Sequence, residues 1–102
     1  MGCGRVGATL AKEFQDLGHT VAVIDQDREA FRRLGADFNG QTVAGVGFDR
    51  DTLIEAGIER ADAFAAVSNG DNSNILAARV ARETYGVKSV VARIYEIGRA
   101  QV

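Results

Sequence analysis

The chain has 102 residues, of which 46% are hydrophobic and 25% charged, and its formal net charge is −2. This length predicts a single domain over residues 1–102, with no room for a separate substrate domain. Basic and acidic residues are interspersed, which argues against nucleic-acid binding, and no apolar run approaches the ~20 residues that a membrane-spanning helix needs. A single cysteine allows no internal disulfide, so we expect a cytoplasmic protein.

Helical and strand-like patterns alternate along the chain. Apolar residues recur at helical spacing over 6–17, and Gly18 follows at the position typical of a helix C-terminus. Four short apolar runs fit strands buried on both faces, and they lie at 20–24, 42–46, 63–67 and 90–94. Three further helices are predicted: one capped by Asp27 and stopped by Gly35, one ending at Gly57, and one over 72–85 capped by Asp71.

This order predicts an α/β fold, namely a Rossmann-like doubly wound parallel sheet in three layers, α/β/α. A glycine-rich loop that opens a helix normally follows a strand, yet only Met1 precedes Gly2. The sheet is therefore expected to lack its first strand, which is central in the doubly wound order. We expect truncation at both ends, because a further helix begins at 96–100 and stops unfinished.

The residues at 2–7, Gly-Cys-Gly-Arg-Val-Gly, match the G-x-G-x-x-G pattern. In that pattern the first glycine allows a tight turn, the second lets a phosphate approach the backbone, and the third allows close helix packing. A strand ends in Asp25, 18 residues after Gly7, where a carboxylate can accept hydrogen bonds from the adenosine ribose and would repel a 2′-phosphate. The pattern predicts binding of NAD or an adenine nucleotide in preference to NADP.

Four further residues are candidates for the same site. Ser68 and Asn69 follow the third strand, at the edge where parallel sheets bind ligands, although an ordinary turn there is an equally good interpretation. Arg93 is expected inside an apolar strand and would need an anionic partner, either a bound phosphate or a carboxylate across a subunit interface. Arg5 is also placed to reach a phosphate from its own or a neighbouring subunit.

Less specific interpretations remain open. The glycines can simply shape a turn while Asp25 caps the next segment, which would leave a structural dimerisation module. A dehydrogenase domain whose catalytic part lies outside this chain is the alternative from another class, but no His, Lys or Tyr is placed for acid–base chemistry. His19 lies in a turn without the further ligands that a metal site needs.

Six blocks of sequence together resemble the TrkA N-terminal domain family, also called RCK or KTN. They are Gly-Cys-Gly-Arg-Val-Gly-Ala at 2–8, Val-Ile-Asp at 23–25, Glu-Ala-Gly-Ile-Glu at 55–59, Ala-Asp-Ala at 61–63, Gly-Asp-Asn-Ser-Asn at 70–74 and Val-Ala-Arg-Ile-Tyr at 91–95. The resemblance covers essentially the whole chain and is greatest to actinobacterial members. One departure is Gly45-Val46-Gly47, where many members carry an aspartate, and this loop is left out of the predicted site.

The resemblance implies a non-enzymatic regulator of a potassium uptake system. Such a protein binds NAD(H) or ATP/ADP, forms a homo-oligomer and acts on a membrane-embedded potassium transporter from the cytoplasmic face, without entering the membrane. Carried over by position, the pyrophosphate contacts are Gly2, Cys3, Gly4, Arg5 and Val6. Asp25 would bind the ribose, and Ser68, Asn69 and Arg93 would line the rest of the nucleotide.

Overall fold

The computed structural model describes residues 1–95, so the helix expected at 96–100 lies outside the described residues. The helices are α1 (Arg5–Asp16), α2 (Arg50–Glu55) and α3 (Asp71–Arg79), with 3₁₀ helices at Arg28–Leu34 and Ile58–Arg60 and a π-helical turn at Val80–Thr84 that continues α3. The strands are β1 (Ala22–Asp25), β2 (Gln41–Ala44), β3 (Ala63–Ala66) and β4 (Ser89–Ala92). The alternation predicted from sequence is confirmed.

The strands form two parallel pairs. Strand β1 pairs with β2, with Asp25 beside Ala44, and β3 pairs with β4, with Ala66 beside Ala92. Met1 and Gly2 lie between the two pairs and join them by backbone hydrogen bonds. The Gly2 N–H donates to the Ile24 carbonyl at 2.7 Å, and the Met1 carbonyl accepts from the Val67 N–H at 2.8 Å. These two residues therefore occupy the central position that the doubly wound order gives to the first strand.

Two hydrophobic cores lie on opposite faces of this sheet, because successive side chains of a strand alternate in direction. Val23 of β1 packs into the core beside α1, whereas Ile24 packs into the core beside α2 and α3. The first core consists of Cys3, Ala8, Ala11, Val23, Ala30 and Leu34. The second contains Ile24, Val43, Leu53, Ile58, Phe64, Ala66, Ala77, Ala81 and Val87. The Rossmann-like three-layer prediction is confirmed.

Most turn residues act as their sequence predicts. The Asp27 side chain accepts from the Glu29 N–H at the start of the first 3₁₀ helix, and Asp49 accepts from the Thr52 N–H in the same way at α2. Gly18 and Gly57 have φ values of +94° and +91°, in the left-handed region that glycine adopts at low energetic cost.

One prediction about the third strand–helix unit is wrong. Asp71 is the first residue of α3 and does not cap it, since Gly70 occupies the cap position. Its carboxylate instead accepts from the Tyr95 N–H at 2.8 Å. The helix predicted over 72–85 is confirmed as α3 and the π-helical turn that continues it, and the change of geometry at Val80 is a detail that hydrophobic periodicity cannot detect.

Candidate functional site

A cleft of about 220 Å³ opens at the C-terminal ends of β1, β2 and β3. Four residues predicted from sequence meet in its lining: Gly2, Asp25, Ser68 and Asn69. They come from three separate segments of the chain, and the parallel sheet brings them to one edge because its strands all end there.

The three glycines of the loop have different structural roles. Gly2 has φ +101°, and a Cβ there would lie 2.7 Å from the Ser68 nitrogen. A Cβ at Gly7 would overlap the carbonyl oxygen of Gly2. A Cβ at Gly4 would meet no atom within 4 Å. Backbone packing therefore requires the first and third glycines, while the second leaves open space where the motif expects a phosphate.

The first turn of α1 is electrostatically suited to an anion. The first hydrogen bond of the helix runs from the Ala8 N–H to the Gly4 carbonyl, so the N–H groups of Arg5, Val6 and Gly7 have no intrahelical partner. No acidic residue lies in this turn, and Arg5 adds an exposed positive charge at the positive end of the helix dipole. The positive charge of Arg5 beside the positive end of the helix dipole is unfavourable by about 0.3–1 kcal/mol, and an anion bound there would offset this repulsion.

Asp25 is held in place by the loop that it faces. One carboxylate oxygen accepts from the Cys3 N–H at 2.8 Å and the other from the Asp27 N–H at 2.9 Å. Each oxygen of a carboxylate can accept a second hydrogen bond, so ribose hydroxyls can still be recognised. The Cys3 N–H thus binds Asp25, and this hydrogen bond holds the glycine loop against the end of β1.

The Cys3 side chain lies beneath the loop and is fully buried. Its thiol donates to the Ala30 carbonyl at 3.4 Å. Burial, reinforced by the Asp25 carboxylate, raises the pKa of the thiol and keeps it protonated. Cys3 is therefore a packing residue with low nucleophilicity.

The prediction that Arg93 lies inside an apolar strand is wrong. Strand β4 ends at Ala92, and Arg93 follows it as a half-buried residue whose N–H donates to the Ala66 carbonyl. Its guanidinium carbon lies 4.0 Å from the centroid of the Tyr95 ring, a cation–π contact. Arg93 is not among the described residues that line the cleft. Its partner within residues 1–95 is the aromatic ring of Tyr95, where the sequence predicted an anion.

The sequence profile of the TrkA-N domain family matches residues 1–102. The chain belongs to the TrkA-N domain family. This family is a nucleotide-binding domain of the Rossmann type.

The chain is similar to several proteins that are longer than it is. The chain is 67% identical over its full length to the "Trk system potassium uptake protein TrkA" of Streptomyces coelicolor and covers 46% of that protein. It is 34% identical over its full length to a TrkA homolog of Pyrococcus abyssi, covering 45% of it, and 35% identical over 94 residues to TrkA of Halomonas elongata, covering 21%. The chain therefore spans about half the length, or less, of these relatives.

The loop after β2 also lines the cleft of this TrkA-N domain, although it was left out of the predicted site. Gly45, Gly47 and Phe48 form one wall. A Cβ at Gly45 would overlap the hydroxyl, methyl and Cβ of the β-branched Thr52, whereas one at Gly47 would meet only the Met1 side chain, which is flexible and can move aside. The position of this loop at the C-terminal end of a strand was the signal that could have revealed it.

Residues 1–95 of this TrkA-N domain carry neither a cluster of metal-binding side chains nor a membrane-spanning helix. They contain no group of three or more His, Cys, Asp or Glu side chains placed to hold a metal ion. None of the helices described is long and apolar enough to cross a membrane.

Proposed function

We propose that the cleft binds an adenine nucleotide, with NAD(H) as the first candidate and ATP or ADP as alternatives. The observation that carries the proposal is the convergence of Gly2, Asp25, Ser68 and Asn69 on one cleft beside the start of α1. Ligands of open α/β sheets bind in this crevice, where the helix N-terminus can stabilise their phosphates.

Each predicted residue has a position in this proposal. The backbone of the loop Gly2, Cys3, Gly4, Arg5 and Val6 would face the pyrophosphate, and the Arg5 side chain would pair with it. Asp25 would bind the ribose hydroxyls. Ser68 and Asn69 would line the remainder, and Arg93 would reach the ligand only by leaving the Tyr95 ring.

The dimensions of the cleft limit how the nucleotide is placed. Pockets that enclose small ligands usually measure about 300–1,000 Å³. At about 220 Å³ this cleft holds part of a nucleotide, so the phosphates would lie outside it along the open first turn of α1.

Asp25 would also determine which nucleotides bind. A carboxylate at the ribose repels a 2′-phosphate, so NADH is expected to bind and NADPH to bind at least about tenfold more weakly, a difference of ~1.4 kcal/mol. Isothermal titration of the protein with NADH, NAD⁺, NADPH, ATP and ADP tests this. Failure of all five nucleotides to bind at millimolar concentration would contradict the proposal.

We further propose that the protein is a cytoplasmic regulatory subunit of a Trk-type potassium uptake system. The names of the relatives in Streptomyces and Halomonas support this role. In this proposal nucleotide binding shifts the relative orientation of paired domains, which biases a membrane-embedded potassium transporter toward one state. The ligand can do so only by binding one arrangement better than the other.

Exposed apolar side chains support the homo-oligomer that this mechanism needs. Most of the exposed large apolar side chains fall into two groups: Val6, Phe14 and Leu17 on α1 and at its end, and Ile75, Leu76, Val91, Ile94 and Tyr95 on α3, on β4 and directly after it. Groups of exposed apolar residues are typical of protein–protein contacts. Analytical ultracentrifugation is expected to show a dimer or a larger assembly, and a monomer at all concentrations would contradict this part.

Potassium uptake in cells that lack their own TrkA-type subunit tests the regulatory role. Uptake is expected to be restored by the wild-type protein and not by a variant that no longer binds nucleotide. The dehydrogenase alternative predicts steady oxidation of NADH with a carbonyl substrate. The cleft gives that alternative little support, because Asp25 is the only acidic or basic side chain among its described lining residues.

A further inference from the structure

A fully buried amide lies directly behind the cleft. Asn74, in the first turns of α3, has no solvent exposure. Its Oδ1 accepts from the Ser68 N–H at 2.9 Å and from the Ser68 hydroxyl at 2.7 Å. Its Nδ2 donates to the Ser68 carbonyl and to the Arg93 carbonyl, both at 2.9 Å. The side chain thus makes four hydrogen bonds, the full number that an amide can make.

These bonds connect two segments that are far apart in sequence. Ser68 belongs to the loop that lines the cleft, whereas Arg93 begins the segment that follows β4. An amide is required chemically, because two carbonyls need donors while the Ser68 N–H and hydroxyl need an acceptor. Aspartate, leucine or alanine in this position would leave at least two of these buried groups without partners.

Additional contacts hold the segment after β4 to the same region. The Tyr95 N–H donates to the Asp71 carboxylate at 2.8 Å, and the Tyr95 hydroxyl lies 3.4 Å from the side-chain oxygen of Asn69, which lines the cleft. The Arg93 guanidinium packs on the Tyr95 ring. A displacement of the cleft loop would therefore also displace residues 93–95 or break these contacts.

We infer that Asn74 is a positioning residue that couples the cleft loop at 68–70 to the segment at 93–95, so that a nucleotide in the cleft and the conformation of that segment influence each other. The part of this inference that concerns the nucleotide rests on the proposed function. The part that concerns the coupling of the two segments depends only on the hydrogen bonds of Asn74. Reciprocity follows because a coupling free energy between two sites acts equally in both directions.

The test compares Asn74→Ala with Ala77→Gly in the full-length protein. Ala77 lies three residues further along α3, is also fully buried, and packs in the hydrophobic core, so its replacement lowers stability without removing a polar bridge. The first measurement is backbone amide hydrogen exchange without nucleotide. The N–H groups of Arg93 and Tyr95 are informative because they donate to Ala66 and Asp71, and not to Asn74.

In Asn74→Ala both amides are expected to exchange at least about tenfold faster, equivalent to ~1.4 kcal/mol of lost local stability. In Ala77→Gly they are expected to change only as much as the global stability does. Unchanged exchange at both amides in Asn74→Ala, or the same change in both variants after correction for global stability, would overturn the coupling. If Asn74→Ala does not fold, Ser68→Ala removes the bond between the Ser68 hydroxyl and Asn74 alone, and the same amides are followed.

The second measurement is NADH affinity by titration. Asn74→Ala is expected to weaken binding by about tenfold, and Ala77→Gly to leave it unchanged. NADH is expected to slow exchange at Tyr95 in the wild type and not in Asn74→Ala. Equal affinity of wild type and Asn74→Ala would overturn the link to the nucleotide. If the wild type binds neither NADH nor ADP, the proposed function fails, while the exchange of the Arg93 and Tyr95 amides still decides the coupling.

Discussion

Alanine substitutions at the three glycines of the loop should distinguish Gly2 and Gly7, which backbone packing requires, from Gly4, which leaves space for a ligand. At Gly7 the added Cβ overlaps a backbone oxygen, which cannot move aside as a flexible side chain can. Overpacking of this kind costs about 1–3 kcal/mol, a large part of the ~5–15 kcal/mol by which a small domain is stable. Gly2→Ala should lose a similar amount for its contact with Ser68, and about 1–2 kcal/mol more for its positive φ.

Gly4→Ala is the matched comparison within the same loop. Gly4 has φ −78° and open space around its Cβ position, so the free energy of unfolding should change by less than about 1 kcal/mol. The new methyl group would occupy the space through which a phosphate approaches, so NADH affinity should fall by more than about tenfold.

Urea unfolding followed by far-ultraviolet circular dichroism measures the stability of all three variants, and calorimetric titration with NADH measures binding. A loss of stability in Gly4→Ala as large as that in Gly7→Ala would refute the assignment of roles to the glycines. Wild-type NADH affinity in Gly4→Ala would refute the placement of the phosphates.

Three further predictions concern the residues around the loop. Asp25→Ala leaves the buried Cys3 N–H without its acceptor, so we expect urea unfolding to show a loss of about 1–3 kcal/mol in stability. NADH binding should be lost as well. Unchanged stability would show that the hydrogen bonds of Asp25 do not hold the loop. The Cys3 thiol should react with iodoacetamide at pH 8 far more slowly in the folded protein than in urea, because burial raises the pKa of the thiol and blocks access to it. Mass spectrometry measures the two alkylation rates, and equal rates would contradict this prediction. Burial lowers the pKa of the Met1 α-amino group from 8.0 to about 6, so the unfolded chain binds more protons between these values and the free energy of unfolding should rise by about 2 kcal/mol as the pH increases from 6 to 8. N-terminal acetylation should abolish this rise, and a rise that persists after acetylation would assign it to other groups.

The local pattern of the sequence was sufficient to place most elements. The helical spacing over 6–17 and the glycines at 18 and 57 correspond to α1 and to turns with positive φ. The short apolar run before Asp25 corresponds to β1. These features depend on side-chain periodicity and on the conformational freedom of glycine, which act over a few residues and can be recognised from the chain alone.

The errors occurred where a residue's partner lies far along the chain. The carboxylate of Asp71 binds the N–H of Tyr95, 24 residues away, so a local rule for helix caps assigned it the wrong role. Arg93 was assigned to a strand because its neighbours are apolar, but the pairing with β3 ends at Ala92 and Tyr95 supplies its partner. Asn74 belongs to the block at 70–74 that carries the family resemblance, but its local sequence does not indicate that it connects Ser68 to Arg93.

The sequence by itself determined the α/β alternation, the positions of the glycine turns and the acidic residue at the end of β1, because each depends on neighbours within a few residues. Only the tertiary structure decided that Met1 and Gly2 join the two strand pairs, that the loop after β2 forms a wall of the cleft, and that Asn74 connects Ser68 to Arg93. These arrangements depend on contacts between segments that parallel strands bring to one edge, and the pairing of those strands fixes which backbone groups need partners there.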